Sequence, residues 1–189
     1  MQILIFITNF YPFSATIVLQ KTQVFRRAVL FALLNPQPNG AGFASMNKDL
    51  NYAYDFTGFS GIEICLRYIV YNSLFTLYIS CLFTLLIFRS QGPNVTQWTL
   101  KLKTDISSER RTSYNQNFAP MFNNGKDFQT LHLPFEDFHE DFRGKVPPDE
   151  IPLNLAKIKS IGLQGFGGVY DDFKQNGPCT LEIDYIKVV

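Results

Sequence analysis

Two histidines lie among carboxylates in the segment LHLPFEDFHEDF, the part of the sequence best equipped for chemistry. His132 and His139 could bind a metal ion or transfer protons together with the neighbouring acids, which are Glu136, Asp137, Glu140 and Asp141. Pro134 interrupts the segment, so one helix face cannot carry both histidines, and their spacing matches no diagnostic metal-ligand pattern. The pattern therefore predicts a solvated acidic loop and no metal site.

The second candidate is the glycine-rich stretch GLQGFGGVY, which has glycines at positions 162, 165, 167 and 168. This spacing differs from G-x-G-x-x-G, and the following DDFKQNGP does not begin the helix whose N-terminus would hold a pyrophosphate. The sequence also lacks the GxSxG, P-loop and HExxH motifs, and no nucleophile, base and orienting residue form a recognisable set. We therefore predict no enzyme activity, no catalytic residue and no cofactor.

Composition and charge exclude further classes of protein. A hydrophobic fraction of 46% excludes a disordered chain, and a net charge of +1 gives no basic surface for nucleic acid. The three cysteines, Cys65, Cys81 and Cys179, are an odd number without CxxC spacing, which predicts buried free thiols rather than a zinc site or disulfide framework. Asn94 begins an Asn-Val-Thr sequon, which predicts glycosylation only for a chain that enters the secretory route.

Short apolar segments separated by turns predict that strands position these residues. The segment QWTLKLKT alternates Trp98, Leu100 and Leu102 with polar side chains, as a half-buried strand does. The predicted strands are 16–19, 24–34, 41–46, 61–67, 97–104, 112–118, 128–133, 159–164 and 180–188, with a dense turn at 35–40 and one helical turn near 153–158. In the last strand, Leu181, Ile183 and Tyr185 are expected to share one face. Strands at this spacing form sandwiches or barrels.

Two stretches carry no charged side chain, namely residues 1–20 and the 21 residues from Tyr68 to Phe88. Residues 1–14 form an apolar leader that resembles a signal peptide without its basic region, or an artefact of gene prediction. The second stretch is long enough to cross a bilayer as a helix, although it lies between two predicted strands. Its composition is also typical of a translated intron. We expect it to be looped out of the domain, because a packed core has no spare volume, and the strands ending at Arg67 and starting near Gln97 to be antiparallel neighbours.

Three phenylalanines in the acidic segment are expected to anchor it to the core. Phe135, Phe138 and Phe142 alternate with acidic residues that favour solvent, so the rings should point inward.

Three motifs in the second half, LPFEDFHEDFRGK, IPLNLAKIKSIGLQGFGG and GPCTLEIDYI, resemble the domain of the complex I intermediate-associated protein 30 family. The matching positions are Leu133, Pro134, Phe135, Phe138, Phe142, Arg143, Gly144, Leu155, Ile158, Ser160, Ile161, Gly162, Gly177, Pro178, Leu181, Glu182, Ile183, Asp184 and Ile186. The resemblance spans about residues 15–67 and 89–189, which makes 15–189 one domain interrupted by an apolar insert at 68–88.

The resemblance implies an all-β jelly-roll sandwich of the galactose-binding type, with an insert for which a helix is one option. It also implies a non-enzymatic assembly factor or chaperone-type module that binds protein partners during assembly of mitochondrial respiratory complex I. Arg143 and Asp184 are the surface positions that it suggests, although Asp184 could instead serve a structural hydrogen bond. The alternatives are a secreted or lumenal carbohydrate-binding sandwich, and a single-span membrane protein that carries this domain and crosses the bilayer with residues 68–88.

Overall fold

The computed structural model describes residues 5–10, 13–21, 26–68, 95–121 and 127–189. Their strands are β1 (Ile5–Phe10), β2 (Phe13–Lys21), β3 (Arg26–Leu34), β4 (Phe43–Tyr54), β5 (Gly61–Tyr68), β6 (Trp98–Thr104), β7 (Ser113–Phe118), β8 (Gln129–Pro134), β9 (His139–Asp141), β10 (Ile158–Phe166) and β11 (Gly177–Val188). They pair into an antiparallel six-stranded sheet, β1-β2-β3-β11-β5-β8, and an antiparallel five-stranded sheet, β4-β10-β6-β7-β9. The predicted all-β sandwich is confirmed.

Among the described residues, helical structure is limited to α1 (Asp105–Arg110) and two 3-10 turns, Phe135–Asp137 and Leu155–Lys157. The second 3-10 turn confirms the helical turn predicted near 153–158. Helix α1 was not predicted, because its sequence DISSER has no apolar period. It begins where Ser107 Oγ accepts a hydrogen bond from the Thr104 N–H at 2.8 Å and Thr104 Oγ1 accepts one from the Ser107 N–H at 3.2 Å.

The core lies between the two sheets. In β6 the alternation predicted from sequence holds, since Trp98, Leu100 and Leu102 are fully buried while Lys101 and Lys103 lie on the opposite face. The other sheet contributes β-branched and leucine side chains at every second position of β5, which are Ile62, Ile64 and Leu66. Each fully buried side chain of this size contributes about 1.5–3 kcal/mol, so this interface provides the main stabilisation.

The predicted turn at residues 35–40 is confirmed. The Gly40 N–H donates to the Gln37 carbonyl at 2.8 Å, and Gly40 has a φ of +86°, which favours glycine. A Cβ atom at this position would also lie 2.9 Å from the Gly167 carbonyl oxygen. The turn therefore needs glycine both for its backbone conformation and for its approach to the loop after β10.

The prediction that β5 and β6 are antiparallel neighbours is wrong. β5 pairs with β11 and β8 in one sheet, whereas β6 pairs with β10 and β7 in the other. The chain therefore changes sheets between Tyr68 and Trp98. Tyr68 Oη donates to the Thr96 carbonyl at 3.1 Å across this crossing.

Tyr68 belongs to the sandwich rather than to the insert, because it ends β5 and is 1% exposed. Residues 69–88 of the predicted insert, with Cys81 and Phe88, lie outside the described residues, as does Asn94. Within the described part of the chain, no helix combines the length and the hydropathy needed to cross a bilayer. Residues 5–10 of the predicted leader form β1, which pairs with β2 from Ile5↔Val18 to Phe10↔Phe13.

Two predictions about side-chain direction are wrong for local reasons. Phe142 is 42% exposed, because the chain reverses after β9 in a two-residue turn where Arg143 and Gly144 have φ values of 57° and 85°. Tyr185 does not share a face with Ile183, because a register shift between them brings Tyr185 opposite Cys65. Phe135 and Phe138 are buried as predicted, at 8% and 5% exposure.

Candidate functional site

The structure does not bring the two predicted surface positions together. Asp184 lies on β11 of the six-stranded sheet, and its Oδ1 atom is 3.6 Å from Arg27 Nε. Arg143 lies in the turn after β9 of the five-stranded sheet, where its guanidinium covers the Phe142 ring at 5.2 Å. The F-R-G part of the sequence motif therefore forms a tight turn, and Asp184 belongs to an ion-pair cluster on the other sheet.

The centre of that cluster is Glu182, which sequence reasoning did not single out. Arg27 Nη1 donates to its Oε1 at 3.0 Å, and Arg67 Nε donates to its Oε2 at 2.7 Å. The Phe128 ring lies 4.7 Å from one guanidinium and 4.5 Å from the other. Glu182 is 6% exposed. The carboxylate therefore ties three neighbouring strands, β3, β11 and β5, together, and its role is structural.

We predict that Glu182→Gln lowers the free energy of unfolding by about 1–2 kcal/mol, because two charge-assisted hydrogen bonds are weakened. The matched change Asp184→Asn should cost less than about 0.5 kcal/mol, because an exposed ion pair contributes little. Urea unfolding of both variants measures the difference. Equal costs would contradict the assignment of Glu182 as the central carboxylate.

A groove of about 730 Å³ lies on the outer face of the five-stranded sheet. The strand register places polar side chains on this face, because the inward positions are taken by the core. Its floor consists of Thr99, Lys101 and Lys103 from β6, Asn115 and Asn117 from β7, and Gln164 from β10. The alternation in TLKLKT and SYNQNF is the sequence signal for this surface, and sequence reasoning used it only to assign strands.

Hydrogen bonds fix the three carboxamides of the floor. Asn117 Oδ1 accepts from Thr99 Oγ1 at 2.7 Å, and Asn115 Oδ1 accepts from Ser113 Oγ at 2.9 Å. Gln164 Oε1 accepts from Lys101 Nζ at 2.9 Å. Each amide oxygen therefore has an internal donor, and each amide nitrogen lies without a hydrogen-bond partner among the described residues.

Two charged groups of the groove, Lys101 and Asp141, are partly buried. Burial lowers the pKa of the Lys101 ammonium, and the charge of Asp141 opposes this shift while Lys103 adds to it. Burial also raises the pKa of Asp141, although a hydrogen bond from the Gly144 N–H at 3.2 Å and the charge of Lys101 lower it. The Lys101 and Asp141 side chains are therefore less solvated than ordinary surface side chains.

Exposed apolar side chains form the rim of the groove. Phe43 is 49% exposed, Val146 55% and Tyr170 58%. The loop that carries Tyr170 is held by Lys174, whose Nζ donates to the carbonyls of Gly168 at 2.7 Å and Asp171 at 2.6 Å. This bracing fixes the glycine-rich stretch as one wall of the groove.

The other candidates from the sequence form no second site. His139 Nδ1 is 3.3 Å from Glu150 Oε1, while His132 lies on β8 of the other sheet. Among the described residues, no group of three or more His, Cys, Asp or Glu side chains could hold a metal ion. Cys65 and Cys179 are buried free thiols, as predicted, and burial raises the pKa of Cys179 to about 12.

The sandwich is similar to solved structures of family 11 carbohydrate-binding modules from Clostridium thermocellum. The module of the cellulosomal cellulase Lic26A-Cel5E has a TM-score of 0.58 and 12% identity, covering 100% of this chain and 88% of that one. The module in complex with a beta-1,3-1,4-mixed-linked tetrasaccharide has a TM-score of 0.59 and 12% identity, covering 99% and 88%. At this identity the likeness shows the fold alone, which is the predicted jelly roll.

Sequence comparison gives information beyond the fold. A relative from Mus musculus, "Complex I intermediate-associated protein 30, mitochondrial", is 31% identical over 91 residues, covering 48% of this chain and 26% of the relative. The alignment thus spans about a quarter of that protein's length. The family model for complex I intermediate-associated protein 30 matches residues 83–183, and the resemblance predicted for residues 15–67 lies outside this match. Because the match covers more than half of the chain and includes strands of both sheets, this chain belongs to the complex I intermediate-associated protein 30 family.

Proposed function

We propose that this chain is a non-enzymatic binding module that holds protein partners during the assembly of respiratory complex I. The observation that carries the proposal is the family match over residues 83–183, which includes β6 to β10 and the first seven residues of β11. Strands of the unmatched first part pair directly with these, since β3 and β5 flank β11 and β4 flanks β10. The matched and unmatched strands therefore form one folded unit that can act as a module.

The chemistry of the groove supports binding rather than catalysis. Lys101 Nζ donates to Gln164, and neighbouring hydroxyl groups hold the amides of Asn115 and Asn117. Outside the groove, on β11, the buried thiol of Cys179 has a raised pKa and is a poor nucleophile at neutral pH. An open polar surface with fixed side chains is suited to recognition of a partner.

The proposal is tested by removing the gene from cells that express the chain and measuring complex I on native gels. We expect reduced complex I and accumulated assembly intermediates, and a tagged chain should co-purify with those intermediates. Normal complex I levels, together with fractionation of the chain away from mitochondria, would contradict the proposal. A glycan array run with the same preparation tests the carbohydrate-binding alternative, which the names of the similar structures suggest.

A further inference from the structure

We propose that the groove on the five-stranded sheet binds an extended acidic segment of a partner polypeptide. The identification of the ligand as a polypeptide rests on the proposed function, whereas its acidic character rests on the groove itself.

The floor of the groove offers hydrogen-bond donors to a ligand. The Asn115, Asn117 and Gln164 oxygens already accept hydrogen bonds from Ser113, Thr99 and Lys101. Each oxygen has thus used one of its two lone pairs, whereas the amino group of each carboxamide has no partner among the described residues and can only donate. A ligand rich in acceptors, such as backbone carbonyls and carboxylates, therefore suits this floor best.

Two ammonium groups extend this donor array along β6. Lys101 and Lys103 lie two residues apart on the same face of the strand, and both line the groove. Neither forms a salt bridge with a carboxylate of the described residues. A carboxylate of the ligand would offset the cost of burying the Lys101 ammonium, which its lowered pKa reflects.

Acidic and basic side chains both line the groove: Asp137, Glu140, Asp141 and Asp171 are matched in number by Lys101, Lys103, Arg111 and Arg143. Glu140 lies on the inner side of β9, where its carboxylate is already bound by Arg110 from outside this lining, so the basic side chains retain a small excess. The exposed rim side chains, Val146 and Tyr170, offer apolar contact beside the polar floor. An extended segment suits both the polar floor and the apolar rim, because its alternate side chains point to opposite sides. Carboxylates can then point toward the floor and apolar groups toward the rim.

The decisive variants are Asn115→Asp and Asn117→Asp, which replace a donor by an acceptor without changing side-chain size. Each new carboxylate can still accept the hydrogen bond from Ser113 or Thr99, so the fold should be retained. The matched control is Asn154→Asp in the 3-10 turn at Leu155–Lys157, where the side-chain oxygen accepts from the Ala156 N–H at 3.1 Å. This control adds the same charge outside the groove.

Binding is measured by fluorescence anisotropy with the full chain and a labelled peptide of alternating Glu and Val. We expect binding that weakens with added salt, that falls at least about tenfold in either groove variant, and that is unchanged in the control. A peptide with Gln in place of Glu should bind at least about tenfold more weakly. Equal binding of both peptides, equal binding by the groove variants, or binding of a mixed-linked tetrasaccharide in place of the peptide would overturn the proposal.

Recovery of assembly intermediates with tagged Asn117→Asp separates this proposal from the proposed function. Intermediates that co-purify with wild type and are lost with the variant support both. Intermediates that co-purify equally with both chains overturn the groove as the partner site and leave the proposed function standing. Peptide binding by a wild-type chain that recovers no intermediates overturns the proposed function alone.

Discussion

Replacement of Phe138 by alanine is expected to lower the free energy of unfolding by about 3–5 kcal/mol, because the cavity left in the core cannot close fully. The Phe138 ring is 5% exposed and lies 6.2 Å from the Phe135 ring, which stacks on Phe56 at 6.0 Å. These rings connect the 3-10 turn at Phe135–Asp137 to the loop after β4. Urea unfolding monitored by circular dichroism measures the cost.

Phe142→Ala is the matched control, since it removes the same ring four residues later in the same acidic segment. Its side chain is 42% exposed in the turn after β9, and the variant should cost less than about 1 kcal/mol. If Phe138→Ala unfolds at the urea concentration of the wild type, the packing of this segment against the core is wrong.

The contrast between these two phenylalanines shows what could be predicted from the sequence. Alternation of apolar and acidic residues identified Phe135 and Phe138 as core residues, because a side chain's solvent preference is local information. The same rule failed at Phe142, where the positive φ values of Arg143 and Gly144 redirect the chain. The two-residue period of a strand likewise failed at Tyr185, because the register shift after Ile183 reverses the faces of the strand.

Strand positions were predicted more successfully than strand neighbours. The alternation of Trp98, Leu100 and Leu102 defines β6 without reference to any other part of the chain. The strands that pair with β6, which are β10 and β7, are set by the sheet that the chain enters after Tyr68. The alternation of apolar and polar residues does not indicate which sheet that is. The assumption that consecutive strands pair therefore failed at the crossing between the sheets.

The candidate site was predicted only in part, since Arg143 and His139 line the groove whereas its floor was not predicted. The groove requires β6, β7 and β10 to lie side by side, and Lys101 and Gln164 are 63 positions apart in sequence. Glu182 and its partner Arg27 are separated by 155 positions. Asp184 and Glu182 belong to the same sequence motif, and motif reasoning selected Asp184. Only the contacts between strands show that Glu182 is the central carboxylate of the cluster and Asp184 a peripheral one.

A buried carboxylate on the inner side of β9 should control stability at low pH. Glu140 has a fully buried side chain and accepts hydrogen bonds from Arg110 Nε at 2.9 Å, Thr112 Oγ1 at 2.7 Å and the Ile151 N–H at 3.0 Å. Burial alone would raise the pKa of Glu140, but these three donors and the charge of Arg110 outweigh it and hold that pKa below its ordinary value. Arg110 also donates to Asp149, whose pKa it lowers.

Glu140→Gln should lower the free energy of unfolding by about 2–3 kcal/mol at neutral pH. The amide cannot form the ion pair with Arg110, and its NH2 group meets a hydrogen-bond donor where the carboxylate offered an acceptor.

The stability that Glu140 provides should also depend on pH. A carboxyl group whose folded-state pKa lies below the unfolded value of about 4.3 stabilises the fold above that pH, and this stabilisation is lost as the pH falls through the folded-state pKa. The wild type should therefore lose more stability than Glu140→Gln between about pH 5 and pH 3. Asp141, whose raised pKa acts with the opposite sign, is present in both chains and cancels in the comparison. Urea unfolding of both chains across this range gives the two slopes, and parallel slopes would show that Glu140 does not hold its proton less tightly in the folded state.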